Sequence, residues 1–161
     1  MLCFKHGRHD IYLIKASWLA PHIVAWFSPK NRQIDNLKLQ KLLYYAQAWH
    51  LAIFGTPILA EQIEAWVHGP VVPEVFRLYR DYQWNPIPAS VPSGQLPTGL
   101  GKHVTEVLMA YGDFTGLQLE RLTHSERPWQ AARGGLPPDA PSHNVITHQS
   151  MKEYYRARMN G

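Results

Sequence analysis

Apolar residues recur at three- and four-residue spacing along much of the chain, and this periodicity predicts a mainly α-helical protein. The clearest such stretch runs from about Asn36 to Phe54. Its apolar residues form one face: Leu39, Leu42, Leu43, Ala46, Trp49 and Ile53. Asp35 is placed to cap the N-terminus of this helix, and Gly55 is placed to end it. We therefore expect this helix to form the core of the fold.

Weaker helical patterns and capping residues predict several shorter helices around it. Three of them are predicted over the ranges Ser17–Phe27, Lys102–Tyr111 and Pro128–Arg133. Three more are predicted from their first residues: one begins at Pro73, one follows the capping box Thr115–Gln118, and the last is capped by Thr147. Proline is tolerated only in the first turn of a helix. Pro21 therefore predicts that the first of these helices is short or begins later than Ser17.

The segment QIEAWV, residues 62–67, alternates apolar and polar side chains and predicts a short strand. The following Gly69-Pro70 pair is expected to break this strand. The pattern leaves open a small two-stranded element formed by residues near Ile63 and Val145.

The stretch from Gln83 to Gly101 contains Pro86, Pro88, Pro92 and Pro97 and no periodicity, so it is predicted to be a long, mobile loop. A linker between two domains is the alternative, but neither half of the chain offers enough helical faces to build a core. We therefore predict one compact helical bundle of about five to seven helices over residues 17–161, with room for a small β-hairpin. An N-terminal arm over residues 1–16 precedes it.

Composition narrows the class of protein. The chain has 161 residues, 45% of them hydrophobic and 17% charged, which is typical of a globular domain. Its single cysteine, Cys3, excludes an intrachain disulfide and a zinc site built on cysteines. No apolar run approaches the roughly 20 residues of a membrane-spanning helix, and the N-terminus lacks the apolar core of a signal peptide. We therefore expect a cytoplasmic protein with no membrane partner.

The net charge of +4 and the pI of about 9.3 raise the question of a nucleic-acid partner. The first fifty residues hold most of the excess charge, as Lys5, Arg8, Lys15, Lys30, Arg32, Lys38 and Lys41 against Asp10 and Asp35. Such a face could meet nucleic acid or an acidic protein. No dense basic run is present, however, so an ordinary solvated surface is the favoured interpretation.

Candidate catalytic groups are few and incomplete. The nine histidines include no HExxH pair, and the chain has no GxSxG elbow and no glycine-rich phosphate loop. Glu64, His68 and Glu74 could do acid–base chemistry, but carboxylates also cap backbone amides and form ion pairs, and the latter role is favoured. A small hydrolase would need Glu64, His68 and His124 to converge around a pocket. We expect no cofactor and no bound metal.

Three blocks of sequence, in this order and at this spacing, resemble a known family. They are LKLQKLLYYAQAWHLA (37–52), IEAWVHGPVVPEVF (63–76) and LTHSERPWQAAR (122–133). Together they are similar to the Panacea domain, also called the SocA-like antitoxin domain, and to the phage-associated proteins named GepA. The resemblance extends over most of the chain, from about Ser17 to Met159.

The resemblance implies a non-enzymatic protein. Members of the family are mostly small helical antitoxins that bind and neutralise a toxin encoded beside them. One relative acts instead as an adaptor that delivers its toxin to the ClpXP protease. The alternative of another class is a nucleic-acid-binding regulator of its own operon, although no helix-turn-helix signature is present.

The family blocks also indicate which residues matter. The positions that match the family motifs are Lys41, Leu42, Tyr45, Glu64, Gly69, Pro70, Val71, His124 and Trp129. We expect most of them to hold the fold and not to touch the toxin. The candidates for partner contact are aromatic residues off the predicted apolar faces, Trp26, Trp66 and Trp84, together with His68.

Overall fold

One long helix at the centre of the molecule organises all the other elements. The fold is seen in a computed structural model that describes residues 11–28 and 32–159. The helices are α1 (Ala16–Phe27), α2 (Asn36–Phe54), α3 (Pro73–Tyr79), α4 (Thr98–Tyr111), α5 (Gly116–His124), α6 (Arg127–Arg133) and α7 (His148–Met159). The strands are β1 (Ile63–Trp66), β2 (Gly69–Val71) and β3 (Val145–Ile146). The predicted mainly α-helical class is confirmed. Most of the predicted arm, including Cys3, lies outside the described residues.

The bounds predicted for α2 are confirmed by both of its caps. The carboxylate of Asp35 accepts a hydrogen bond from the Lys38 backbone N–H at 2.8 Å. Gly55 closes the helix in the left-handed conformation, with φ of 79°. The prediction of a single apolar face is wrong, however, because other elements pack against α2 on every side. Its polar residues are buried as well: Asn36, Lys38, Gln40, Lys41, Gln47 and His50.

Each buried polar side chain of α2 is bonded to a different part of the chain. The Gln47 carbonyl accepts the backbone N–H groups of Ile58 and Leu59 at 2.8 and 3.1 Å. The Gln40 carbonyl accepts the N–H of Val72 at 2.9 Å. These bonds satisfy groups that would otherwise be costly to bury, and they hold the segments before β1 and after β2 against the helix.

The three strands form one antiparallel sheet in the order β2-β1-β3. The pairing of Ile63 with Ile146 and of Glu64 with Val145 is the two-stranded element that the sequence left open. The expected break at Gly69-Pro70 is wrong, because both residues form the returning strand β2 of a hairpin. Pro70 lacks an N–H group, but β2 is an edge strand and needs no ladder partner on its outer side.

The predicted bounds of the other elements differ by a few residues. Helix α1 begins at Ala16, earlier than expected, and accommodates Pro21 in its interior. Helix α4 begins at Thr98, so the proline-rich loop is shorter than predicted. That loop is also tied to the body of the protein, since Ile87 is buried and donates its N–H to the Ile34 carbonyl at 2.8 Å.

A buried cluster of tyrosines around one carboxylate joins α2 to α6 and α7. Glu126 is 4% exposed, and its Oε1 accepts hydrogen bonds from the hydroxyls of Tyr45 and Tyr155 at 2.6 and 3.0 Å. The hydroxyls of Tyr44 and Tyr155 lie 3.0 Å apart. Burial raises the pKa of Glu126, and the two tyrosine hydrogen bonds oppose that rise. The carboxylate thus links three helices through hydroxyl donors.

We expect Glu126→Ala to lower the free energy of unfolding by about 2–4 kcal/mol, because the buried hydroxyls of Tyr45 and Tyr155 lose the carboxylate that accepts their hydrogen bonds. Urea denaturation followed by tryptophan fluorescence measures this change. Glu153→Ala is the control, since Glu153 is exposed on α7. That substitution should change stability by less than about 0.5 kcal/mol. Equal effects of the two substitutions would contradict the role assigned to Glu126.

We also expect Gly69→Ala to be destabilising, because Gly69 has φ of 103° in a crowded place. An added Cβ would lie 2.5 Å from Cε of Lys41 and 2.9 Å from Oγ1 of Thr123. The strained backbone alone costs about 1–3 kcal/mol, measurable as a fall in the denaturation midpoint. Gly101→Ala, on helix α4 with an ordinary 3.7 Å contact, should be neutral or stabilising. A tolerated alanine at Gly69 would show that the turn is not constrained.

Candidate functional site

A groove opens beside the β1–β2 hairpin. It has a volume of about 420 Å³ and lies between α2, the hairpin, α3 and residues 141–143. We call it the hairpin groove. It is lined by Asn36, Leu37, Gln40, Lys41, Trp66, Val67, His68, Val71, Phe76, Arg80, Gln83, Trp84, Pro141, Ser142 and His143. Most of this surface is apolar, which suits contact with another protein or an apolar ligand.

Three of the four residues predicted to contact a partner meet in this groove. Trp66 is on β1, and its ring packs edge-on against Phe76 at 5.1 Å between centroids. His68 occupies the hairpin turn, and its ring lies 6.1 Å from that of Trp84. Trp84 is 64% exposed. The fourth candidate, Trp26, lines neither this groove nor its neighbour; it packs against Phe27 in α1, with the guanidinium of Arg32 5.9 Å from its ring.

Trp84 also borders a second, smaller groove of about 260 Å³. We call this the α5 groove, because the N-terminus of α5 forms one wall. It is lined by Gln33, Asp35, Lys38, Trp84, Pro86, Asp113, Phe114, Thr115 and Gly116. Trp84 therefore stands as an exposed ridge between two depressions.

Lys41 lines the hairpin groove although its side chain is fully buried. Its ammonium donates a hydrogen bond to the Pro70 carbonyl at 3.1 Å. Burial lowers the pKa of Lys41 to about 7, while the charges of Glu120 and Asp35 act in the opposite direction. Burial therefore disfavours the charged form of this lysine in the folded chain.

The residues that match the family motifs lie mainly in the interior. Those buried are Lys41, Leu42, Tyr45, Gly69, Pro70, Val71 and Trp129, and those half-buried are Glu64 and His124. The second and third sequence blocks are in contact, because the Trp129 indole donates to the Trp66 carbonyl at 2.8 Å. The Arg133 guanidinium reaches the Ala65 carbonyl at 3.2 Å. The third block thus supports the strand that presents Trp66 to the groove.

The three groups considered for hydrolysis, Glu64, His68 and His124, do not all line the hairpin groove. Glu64 accepts from His143 Nδ1 at 3.2 Å, and His68 Nδ1 lies 2.9 Å from a carboxylate oxygen of Glu120. His124 stacks on the Trp129 ring at 4.0 Å, and burial lowers its pKa. Neither Glu64 nor His124 lines the hairpin groove. The convergence that a hydrolase requires is therefore not found among these residues.

The predicted basic face is also reduced in the structure. Lys38 and Lys41 are buried in α2, and the Lys38 ammonium donates to the Gly112 carbonyl at 2.7 Å. Arg32 pairs with Asp113 at 2.6 Å. Lys5, Arg8 and Lys30 lie outside the described residues.

Two absences hold for residues 11–28 and 32–159. Within them, no three or more His, Cys, Asp or Glu side chains are grouped to hold a metal ion. No helix there combines the length and the apolar character needed to span a membrane.

Sequence reasoning missed part of the groove wall. Arg80 and the segment 141–143 carry no periodicity or motif that marks them. His143 reaches the groove only because β3 pairs with β1, which brings a distant segment beside Trp66 at 5.8 Å between ring centroids.

The buried lysine yields a prediction on pH. The unfolded chain holds a proton on Lys41 up to about pH 10.5 and the folded chain only to about 7, so burying this lysine costs stability below pH 7. That cost is relieved as the pH rises from about 7 to 10.5. The quantity to compare is the free energy of unfolding of the native chain minus that of the Lys41→Met variant. This difference should increase by about 2–4 kcal/mol between pH 6.5 and 9.5. Urea denaturation at the two pH values tests this, and a difference independent of pH would contradict it.

Comparison with known proteins covers most of the first sequence block and all of the second. Residues 39–96 match the family described as "Antitoxin SocA-like, Panacea domain". The chain is 34% identical to Antitoxin SocA of Caulobacter vibrioides (strain NA1000 / CB15N) over 115 residues. That match covers 63% of this chain and 61% of the relative's length. No solved structure matches the chain significantly. Most residues of the hairpin groove lie within the matched range, and the resemblance to the SocA-like Panacea family is confirmed over that range.

Proposed function

We propose that this protein is a cytoplasmic antitoxin that neutralises a co-encoded toxin by binding it directly. The observation that carries the proposal is the 34% identity to Antitoxin SocA. The matched family range also includes Trp66, His68 and Trp84, which border the hairpin groove.

The surface around Trp84 has the physical character of a protein-binding site. A few tryptophan, tyrosine and arginine side chains usually dominate the energy of a protein interface. Trp84 combines 64% exposure with a position between two depressions, so a partner that fills both would bury its ring from two sides. Arg80, which is exposed beside it, could add a charged contact at the rim.

Direct binding also agrees with the rigidity of the groove. Its floor is α2, which two buried hydrogen bonds hold in place. The Lys41 ammonium donates to the Pro70 carbonyl of the hairpin, and the Gln40 carbonyl accepts the N–H of Val72. A preformed surface loses little conformational entropy on association. The proposed toxin would therefore dock on a shape that exists before it arrives.

Co-expression with the product of the adjacent gene tests the proposal. We expect that product alone to stop growth, and this protein to restore growth and to co-purify with it. Trp84→Ala should weaken the complex by at least about tenfold, as is usual for a central aromatic anchor, and should reduce protection. Val91→Ala is the control, because Val91 lies in the same loop, is 95% exposed and lines neither groove.

Two results would contradict the proposal: a neighbouring product that is harmless, or one that stays toxic and unbound in the presence of this protein. The half-life of the toxin in the same cells separates the two modes of neutralisation. An unchanged half-life indicates steric occlusion, whereas a shortened half-life that depends on ClpXP indicates delivery for degradation.

A further inference from the structure

We infer that the hairpin groove receives an apolar segment of the partner protein that carries an acidic side chain. This inference rests on the proposed function, and it specifies the chemistry of the partner segment. It is drawn from the charges and the apolar walls of the groove.

The ionisable side chains of the groove lining are basic types only. The lining contains Lys41, His68, Arg80 and His143 and no aspartate or glutamate. Arg80 is 65% exposed at its side chain and has only a weak, exposed ion pair with Asp81, at 3.9 Å. A negatively charged group in the groove would therefore meet cations and hydrogen-bond donors and no carboxylate of the lining.

The carboxylates that balance the two histidines lie outside the groove lining. His68 is paired with Glu120 and His143 with Glu64, each through Nδ1. Neither carboxylate lines the groove. The groove thus contains the two imidazoles but not the carboxylates that are hydrogen-bonded to them.

The apolar walls of the groove favour an apolar residue next to that acidic side chain in the partner segment. Trp66 and Phe76 pack edge-on at 5.1 Å, and Trp84 closes the outer side. The indole Nε1 of Trp66 is buried without a hydrogen-bond partner in the described structure. This unpartnered donor at the groove wall would be satisfied by a carbonyl or carboxylate oxygen that came within hydrogen-bond distance of it.

The second groove gives the partner segment a direction. The α5 groove contains the carboxylates of Asp35 and Asp113 beside the ammonium of Lys38, and Asp113 is also paired with Arg32. The hairpin groove contains no carboxylate and is therefore the more favourable side of Trp84 for an acidic group. The acidic residue of the segment is thus directed to the hairpin groove, while an apolar residue covers Trp84.

A displayed library of random twelve-residue peptides, selected on the immobilised full chain, tests this inference. We expect the selected peptides to contain Asp or Glu within a few residues of Trp, Phe, Leu or Ile. Replacing that acidic residue by its amide should weaken binding by about fivefold or more, since charge-assisted hydrogen bonds are roughly twice as strong as neutral ones. Binding is measured by fluorescence anisotropy at low and at high salt, and high salt should weaken it.

Matched variants locate the binding site. Arg80→Ala should weaken binding of the selected peptides by about fivefold. Arg77→Ala should not, because Arg77 is in the last turn of α3, three residues before Arg80, and lines neither groove. Trp84→Ala should weaken them by about tenfold, and Val91→Ala should leave them unchanged. All four substitutions are at exposed positions, so thermal unfolding is expected to confirm that each variant is folded.

The inference is overturned if no peptides are selected, if they lack an acidic residue, or if Arg80→Ala and Trp84→Ala have no effect. A promoter DNA fragment that binds the chain and is released by Arg80→Ala would also overturn it, because the groove would then serve a phosphate backbone. These outcomes are separable from the co-expression test. If the protein rescues cells from the toxin but the selected peptides show no acidic, apolar consensus, the antitoxin function is supported and only the inference is overturned.

Discussion

The burial of α2 on every side is the constraint on which the rest of the structure depends. A helix with only one apolar face leaves its polar side chains in water, but a fully enclosed helix must satisfy them within the protein. The Gln47 carbonyl accepts a hydrogen bond from the backbone just before β1. The Gln40 carbonyl accepts the N–H of Val72, after β2, and the Lys41 ammonium donates to the Pro70 carbonyl of β2. Each internal hydrogen bond therefore positions a neighbouring segment as well as satisfying a buried group.

The hairpin groove is a consequence of that arrangement. Lys41 holds the Pro70 carbonyl, and its side chain runs so close to Gly69 that no Cβ fits there. The hairpin is thus fastened to α2 at one strand, while Trp66 on the other strand faces the open groove. The short stretch EAWVHGPVVPEVF contains both Pro70, which is hydrogen-bonded to α2, and Trp66, which forms the aromatic wall of the groove. Its histidine and first glutamate form separate ion pairs, which leaves a role in shaping the surface as the simplest account of their charges.

Several features were predictable because they depend on local chemistry. Asp35 and Gly55 define α2 through capping bonds that span three or four residues, and Thr115 with Gln118 forms the expected capping box. The return of the chain at Gly69-Pro70 was not predicted, because a proline in a strand is acceptable only at an edge, and edges are known only once the sheet is assembled. The burial of Lys38 and Lys41 was missed for a similar reason: helical periodicity reveals one apolar face but not how many neighbours a helix has.

The sequence by itself determined the helical class, the central helix, most element bounds and the family blocks, since these follow from spacing, capping and motif order. Only the tertiary structure decided that Trp66, His68 and Trp84 border one groove and that Trp26 does not. It also decided that Arg80 and His143 join them. Such groupings arise from contacts between residues distant along the chain, and those contacts depend on packing around α2 and on strand pairing, which no local pattern encodes.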